Sequence, residues 1–253
     1  MKKTGLINKF AVLISACVFL SASALSAADV KVSTVTKSIT FKTQDNWTIS
    51  ATLKLPKKGK HIVIMAHGLG SAKGEWDAFA FKLHSLGFGT LALDLRAHGE
   101  SLLGPDGNET DFHTYDFKNK WTDAKKDIEA AIVFLEKNKI PRSRIGVMGA
   151  SIGANIASQV TLGKSKASWI ILLSAARTYR GVPLSSEISF LSILLAASPR
   201  DIYAFRSSLE FMKKIKNANF IQAVKGHGVE MFKDAEFETK LLNWIKQKSV
   251  NKK

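Results

Sequence analysis

Gly149-Ala150-Ser151-Ile152-Gly153 follows the short apolar run Ile145-Gly146-Val147-Met148 and opens an alanine-rich segment that reads as a helix. No other stretch constrains the chain as tightly. A Gly-x-Ser-x-Gly between a strand and a helix makes a turn so sharp that the serine backbone is strained. The positions beside it must be glycine or small, because a larger Cβ would collide with the adjoining strand or helix. Such a turn lifts the serine hydroxyl above a sheet, with the start of a helix beneath it. It demands a strand–helix architecture and presents an exposed nucleophile.

The rest of the chain supplies that architecture. Segments 30–41 and 47–55 alternate apolar and polar residues around the turn Gln44-Asp45-Asn46, and read as antiparallel lead-in strands. His61 to Ala66 is a nearly unbroken apolar strand, the kind buried on both faces of a parallel sheet. Beyond it come a helix at 75–86, a strand at 89–93, a helix at 121–137, a strand at 145–148 and a helix at 153–162. Strands at 169–174 and 188–197, a helix at 201–213, a strand at 220–224 and a closing helix at 236–248 complete the pattern. This alternation predicts an α/β fold: right-handed βαβ units, a mostly parallel central sheet with antiparallel N-terminal strands, and helices on both faces. Sites in such sheets form at the carboxyl ends of strands.

A serine nucleophile needs a base, the base an orienting acid, and the tetrahedral oxyanion two donors. Each candidate falls just after a strand. His227 is the base, in Lys225-Gly226-His227-Gly228 between the last strand and the closing helix. Asp201 is the acid, after the apolar residues 193–197, although the same carboxylate could instead cap the helix that follows. Glu187 precedes its strand, Asp234 lies beyond His227, and no acid occurs between Ile170 and Tyr179. The backbone amides of Ile152 and of Leu69, in His67-Gly68-Leu69-Gly70, are the expected oxyanion donors. Gly68 lets the backbone approach the substrate, and His67 is expected to support that loop from beneath. Asp94, Arg96 and His98, in Asp94-Leu95-Arg96-Ala97-His98-Gly99-Glu100-Ser101, read as a charged hydrogen-bond cluster fixing a loop beside the site. Asp94 and His98 lack a third ligand at useful spacing, so no metal is expected, nor any cofactor.

HGLG (67–70), DLRAHGES (94–101), GASIG (149–153), the Asp201 loop and GHG (226–228), in that order, resemble the α/β-hydrolase superfamily, in particular dienelactone-hydrolase-like proteins and small serine esterases. The resemblance spans roughly Ser38 to Lys248. It implies the α/β-hydrolase fold and a serine hydrolase, foremost a carboxylesterase acting on small or exposed acyl esters. A serine peptidase, a thioesterase, or a non-catalytic envelope-binding protein on the same scaffold are the alternatives. LSAARTYRG (173–181) also resembles relatives in which this strand end leads into a Tyr-Arg-Gly turn, with Ala175-Ala176 here where a Pro-Gly pair is frequent. Many capped relatives insert helices after this strand; about a dozen residues intervene here, so no large cap domain is expected. The segment 102–120 is polar and aromatic and could rim the pocket.

Residues 1–28 have the make-up of an export signal peptide: Lys2, Lys3 and Lys9 in front, an apolar stretch at 10–20, and Ser26-Ala27-Ala28 as a small-x-small cleavage site. The remaining residues, 29–253, are expected to form one domain, periplasmic or secreted. Cys17 is the only cysteine, and Ile14-Ser15-Ala16-Cys17 resembles a bacterial lipobox, so a lipoprotein anchored through Cys17 is the alternative. A formal net charge of +16, or +13 without the three lysines of residues 1–28, would draw the protein non-specifically toward anionic envelope surfaces. No basic run with interleaved aromatics is present, so no specific nucleic-acid partner is expected. The expected partner is a small-molecule ester, and the sequence leaves the oligomeric state open.

Overall fold

The computed structural model describes residues 35–117, 121–160, 169–188, 191–215 and 218–249. The expected export segment and Cys17 lie outside them. Ten strands and six α-helices follow one another along the described chain: β1 Lys37–Lys42, β2 Thr48–Lys54, β3 Ile62–Ala66, α1 Asp77–Ser85, β4 Gly89–Leu93, α2 Phe112–Phe117, α3 Lys125–Lys137 and β5 Ile145–Ala150. Then come α4 Ile152–Val160, β6 Trp169–Leu173, β7 Thr178–Tyr179, β8 Val182–Pro183, β9 Ser192–Ala197, α5 Ile202–Lys214, β10 Asn219–Gln222 and α6 Ala235–Lys248.

Eight strands form one sheet in the order β1-β2-β4-β3-β5-β6-β9-β10. The pairs β1–β2 and β2–β4 are antiparallel and all others are parallel. The mostly parallel sheet with antiparallel lead-in strands is thus as the sequence pattern predicts. Along β3 every residue is buried, and successive side chains serve opposite faces. Ile62, Ile64 and Ala66 join a core with Ile128, Ile132 and Leu135 of α3, Ala154 and Ala157 of α4 and Phe211 of α5. Val63 and Met65 join a second core with Phe79 and Leu83 of α1 and Phe237, Leu241 and Ile245 of α6. Helices therefore cover both faces, which is why the central strands read as continuous apolar runs.

Several elements differ from expectation. The strand read at 188–197 begins only at Ser192; Ile188 and Leu191 are buried, but in a turn closed by the Leu191 N–H on the Ile188 carbonyl. The strand read at 220–224 is Asn219–Gln222. The helices expected from 75 and 121 begin as 3-10 turns, Lys73–Trp76 and Trp121–Ala124. Short α2 within 102–120 was not expected. Between β6 and β9 the described residues hold only the β7–β8 hairpin and a turn, so no large cap stands over the sheet.

The chain runs from β3 to β4 on one side, then crosses to β5 on the other, which opens a crevice at the carboxyl ends of the central strands. There α4 starts so close to β3 that neither flanking glycine can carry a side chain. A Cβ on Gly153 would sit 2.4 Å from the His67 carbonyl oxygen, and one on Gly149 would sit 2.2 Å from the Gly153 oxygen. Gly153→Ala should therefore cost about 1–3 kcal/mol by overpacking and lower the thermal midpoint by several degrees. Gly74→Ala, whose Cβ would meet nothing closer than 3.8 Å, should change it little. Circular dichroism melts of the two variants make the comparison.

Candidate active site

Ser151 joins β5 to α4 with φ of 56°, a left-handed conformation that is costly for a residue with a side chain. Its N–H donates to the Leu173 carbonyl at 2.8 Å, which extends the ladder to β6 and holds the strained residue in place. Gly68 lies directly opposite: a Cβ there would be 3.4 Å from that of Ser151. Ser151 is partly exposed, at the floor of a cleft of about 380 Å³ lined by Gly68, Leu69, Glu75, His227, Val229 and Glu230, among others.

His227 lies past β10, where Gly226 and Gly228 both take positive φ. Its Nδ1 bonds Asp201 Oδ2 at 2.6 Å. Asp201 occupies the N-cap position of α5 without a side-chain cap hydrogen bond; its main partner is the imidazole, with the Ala204 amide of the first helical turn a lesser influence on the carboxylate. The Asp201 hydrogen bond raises the His227 pKa above its ordinary value, against the opposing effect of burial, with the charges of Glu230 and Glu75 adding to the rise. Burial pushes the Asp201 carboxyl up, but His227 outweighs it and holds the group below its ordinary value. The structure thus brings Ser151, His227 and Asp201, distant in sequence, to one rim of the sheet.

The loop after β3 is shaped from the loop after β4. Leu95 N–H donates to His67 Nε2 at 3.0 Å, and Gly70 N–H donates to His98 Nε2 at 3.0 Å. His67 Nδ1 then donates to the Gly68 carbonyl and His98 Nδ1 to the Arg96 carbonyl. Both rings are buried and meet edge to face at 4.7 Å. Burial depresses both pKa values, that of His67 to about 3, so the rings are neutral and each acts as one donor and one acceptor. Asp94 accepts the Lys73 N–H at 2.7 Å and the Glu100 N–H at 2.9 Å and pairs with the Lys73 ammonium. Arg96, fully buried, binds Asp127 of α3 with Nε at 2.8 Å and Asp45 with Nη1 at 2.9 Å. The side chains of Asp94, Arg96 and His98 thus bond to separate partners rather than to one another, and Asp45 and Asp127 are partners the sequence did not reveal.

The two residues expected to supply amide donors lie on the segments next to Ser151. Ile152 opens α4, so its N–H has no intrahelical partner. The hydrogen bonds of the neighbouring loop run from Gly68 N–H to Glu75, from Gly70 N–H to His98 and from Ser71 N–H to Gly68, and none of them engages the N–H of Leu69, which lines the cleft. Three side chains of the site escaped the sequence reading. Glu75 accepts from Gly68 N–H at 3.2 Å and lines the cleft, its carboxyl raised by burial against the Ser71 and Gly68 donors. Ser174 accepts the Gly228 N–H at 2.9 Å and contacts Asp201, so it braces the base loop against the acid. Tyr179 packs its ring edge-on against that of His227, with centroids 6.2 Å apart. Ser174 and Tyr179 both lay in a stretch the sequence had singled out, LSAARTYRG (173–181).

Among the described residues no three His, Cys, Asp or Glu side chains are arranged to hold a metal ion. A larger concavity of about 520 Å³ between β1 and α3 is lined by Phe41, Val133 and Phe134 among others, and no histidine or serine reaches it. Among the described residues, the crevice at Ser151 is the one that brings together a serine, a histidine bonded to a carboxylate and a loop with an unengaged amide, groups of the kind acyl transfer needs.

The family model described as serine aminopeptidase, S33, matches residues 57–224. No curated protein matches the chain. Among solved structures, the Pyrococcus furiosus esterase Pf2001 superposes with a TM-score of 0.67 at 19% identity, over 85% of this chain and 94% of that one. The α/β-hydrolase GrgF from Penicillium gives 0.68 at 14%, over 85% and 99%. Dienelactone hydrolase from Anabaena variabilis gives 0.63 at 15%, over 83% and 94%. At these identities the likeness is one of fold.

Because His227 is held above and Asp201 below its ordinary pKa, the pair's contribution to stability is fully present between about pH 4 and 6.5, and is lost as the pH rises through the raised His227 value or falls through the lowered Asp201 value. Asp201→Asn should shift the imidazole titration downward, as followed by NMR of the His227 ring. An unchanged midpoint would mean that the carboxylate does not set the charge of this imidazole.

Proposed function

We infer that this chain, which belongs to the serine aminopeptidase S33 family of α/β-hydrolases, is an exported serine carboxylesterase acting on small or exposed acyl esters. The observation that carries the reading is the 2.6 Å bond from His227 to Asp201 at the mouth of the cleft that holds Ser151. Ser151 Oγ attacks the ester carbonyl while the imidazole, with Nδ1 committed to Asp201, takes the proton on Nε2. Negative charge gathers on the carbonyl oxygen and is met by the N–H groups of Leu69 and Ile152. Collapse expels the alcohol, protonated by His227. Water, deprotonated by the same imidazole, then releases the acyl group. The absence of a large cap supports an open site for short or surface-accessible acyl groups.

A peptidase is the second reading, favoured by two carboxylates, Glu75 and Glu230, on the cleft wall, which would suit a cationic amine on the substrate. A panel of oxyester, thioester and aminoacyl amide substrates separates the readings. Ser151→Ala should fold as wild type, lose covalent labelling by a fluorophosphonate probe, and lose turnover of p-nitrophenyl acetate by about 10³-fold or more. Wild-type activity should fall as the pH drops through the His227 pKa, because only the neutral imidazole accepts the serine proton. A well-folded wild type that ignores the probe would reject the serine-hydrolase reading and leave a basic scaffold suited to binding anionic envelope material. Export and the position of the mature N-terminus, near Asp29 or at a lipidated Cys17, are tested by intact-mass measurement of protein from the envelope fraction.

A further inference from the structure

The end of the sheet opposite Ser151 carries a second concavity. β2 ends at Lys54 and β4 begins at Gly89, so this groove opens at the amino-terminal end of the parallel strands, whereas Ser151 follows the carboxyl end of β5. Its volume is about 380 Å³, a size that suits a small ligand. The segment after β2 is fixed as one wall. Lys57 N–H donates to the Gly87 carbonyl at 2.9 Å, and Pro56 packs so closely on Gly89 that a Cβ there would lie 2.6 Å from the proline ring. Leu53 and Phe88 line the groove and are buried, while Val35 and Leu55, which also line it, are 64% and 57% exposed. A hydrocarbon chain would find apolar surface here that the fold leaves uncovered.

The charge of the groove has one sign. Lys37, Lys54 and Lys57 line it, and among the described residues no carboxylate does. Lys37 and Lys57 are exposed, so water solvates them. Lys54 is only 7% exposed, and among the described residues its ammonium takes part in no hydrogen bond or ion pair. A lysine that runs its stem along apolar surface normally keeps its head in bulk water; the little exposure left to Lys54 borders the groove. Its neighbours bring no negative charge. Thr90 stands opposite Lys54 in the β2–β4 ladder, and His84 Nε2 engages the Thr90 hydroxyl at 2.7 Å. Burial and the nearby Lys54 charge lower the His84 pKa to about 4, so that ring is neutral at physiological pH. A buried charge without a partner is unfavourable, and one monovalent anion would balance it.

We propose that this groove is a binding site for a medium-chain fatty carboxylate, with the carboxylate paired to the Lys54 ammonium and the chain covering Val35, Leu53, Leu55 and Phe88. The single buried cation sets the charge of the ligand at minus one, and the exposed apolar side chains call for a tail. Lys37 and Lys57 add long-range attraction for the anion without needing to touch it. No bond is made or broken in this groove, and the assignment does not depend on what the cleft at Ser151 does.

Isothermal titration of the purified protein with decanoate, kept below its micelle concentration, should show saturable binding that Ser151→Ala retains. Decanol has the chain without the charge, and acetate the charge without the chain; each should bind about tenfold more weakly or worse. Each methylene removed from the chain should weaken binding by up to about fourfold. Lys54→Met keeps a stem of similar volume and removes the cation, and should weaken decanoate about tenfold or more. A decanoate analogue carrying a photoreactive diazirine, mapped by mass spectrometry on the wild-type protein, should mark residues 53–57 and 87–88, a test that needs no variant to fold. Equal affinity for decanoate in Lys54→Met, equal binding of decanol, or labelling confined to the Ser151 cleft would each overturn the proposal. Binding to phosphatidylglycerol vesicles with none to free decanoate would overturn it as well, and would make the groove part of a membrane-facing surface.

Discussion

Everything at the rim that holds Ser151 depends on how closely α4 is driven against β3 and β5. That approach is possible only because Gly149 and Gly153 carry no side chains, and it leaves Ser151 no choice but a positive φ. The strain is of order 1–3 kcal/mol and must be offset by surrounding structure. The N–H of Ser151 on the Leu173 carbonyl and the continuous burial of β5 and α4 supply the offset. One steric constraint thereby sets three things together: an accessible hydroxyl, a free amide at Ile152, and a facing loop at Gly68.

The second loop wall is set by polar groups that are buried and neutral rather than charged. His67 and His98 would each carry a desolvated charge if protonated; held neutral, they act as rigid spacers between the loops after β3 and β4. Charge is placed farther back, where Arg96 is matched by two carboxylates from separate elements. Removing either partner would leave a buried ion uncompensated. Positioning therefore comes from groups that need not change state during a reaction, while the titrating pair, His227 and Asp201, sits at the solvent edge.

The sequence showed the central strands clearly because burial on both faces removes the alternation that would otherwise obscure them. It overextended the strand at 188–197 for the same reason: Ile188 and Leu191 are as buried as strand residues, but apolar continuity reports burial and not ladder hydrogen bonding. Ser151, Asp201 and His227 were legible because each follows a strand at the one sheet edge where sites form. The 3-10 starts before α1 and α3 were not, since their side-chain spacing resembles the first turn of an α-helix. Asp45 and Asp127 escaped because Arg96 finds them 51 and 31 residues away, through contacts that only the folded chain creates. Tyr179 was visible as part of a Tyr-Arg-Gly turn, but its place against the His227 ring depends on Asn155, whose hydrogen bonds to the Ala176 and Val182 carbonyls no local pattern announces.

The Asn155 clamp also bears on what the cleft can admit. Helix and hairpin are tied by three buried hydrogen bonds, so the hairpin beside His227 cannot yield to a bulky substituent without leaving amide groups unpaired, at roughly 1–3 kcal/mol for each. Size discrimination on this flank is then a matter of a stiff template rather than of induced fit. Altered breadth of substrate use would have to arise on the opposite flank, where Glu75, Val229 and Glu230 stand.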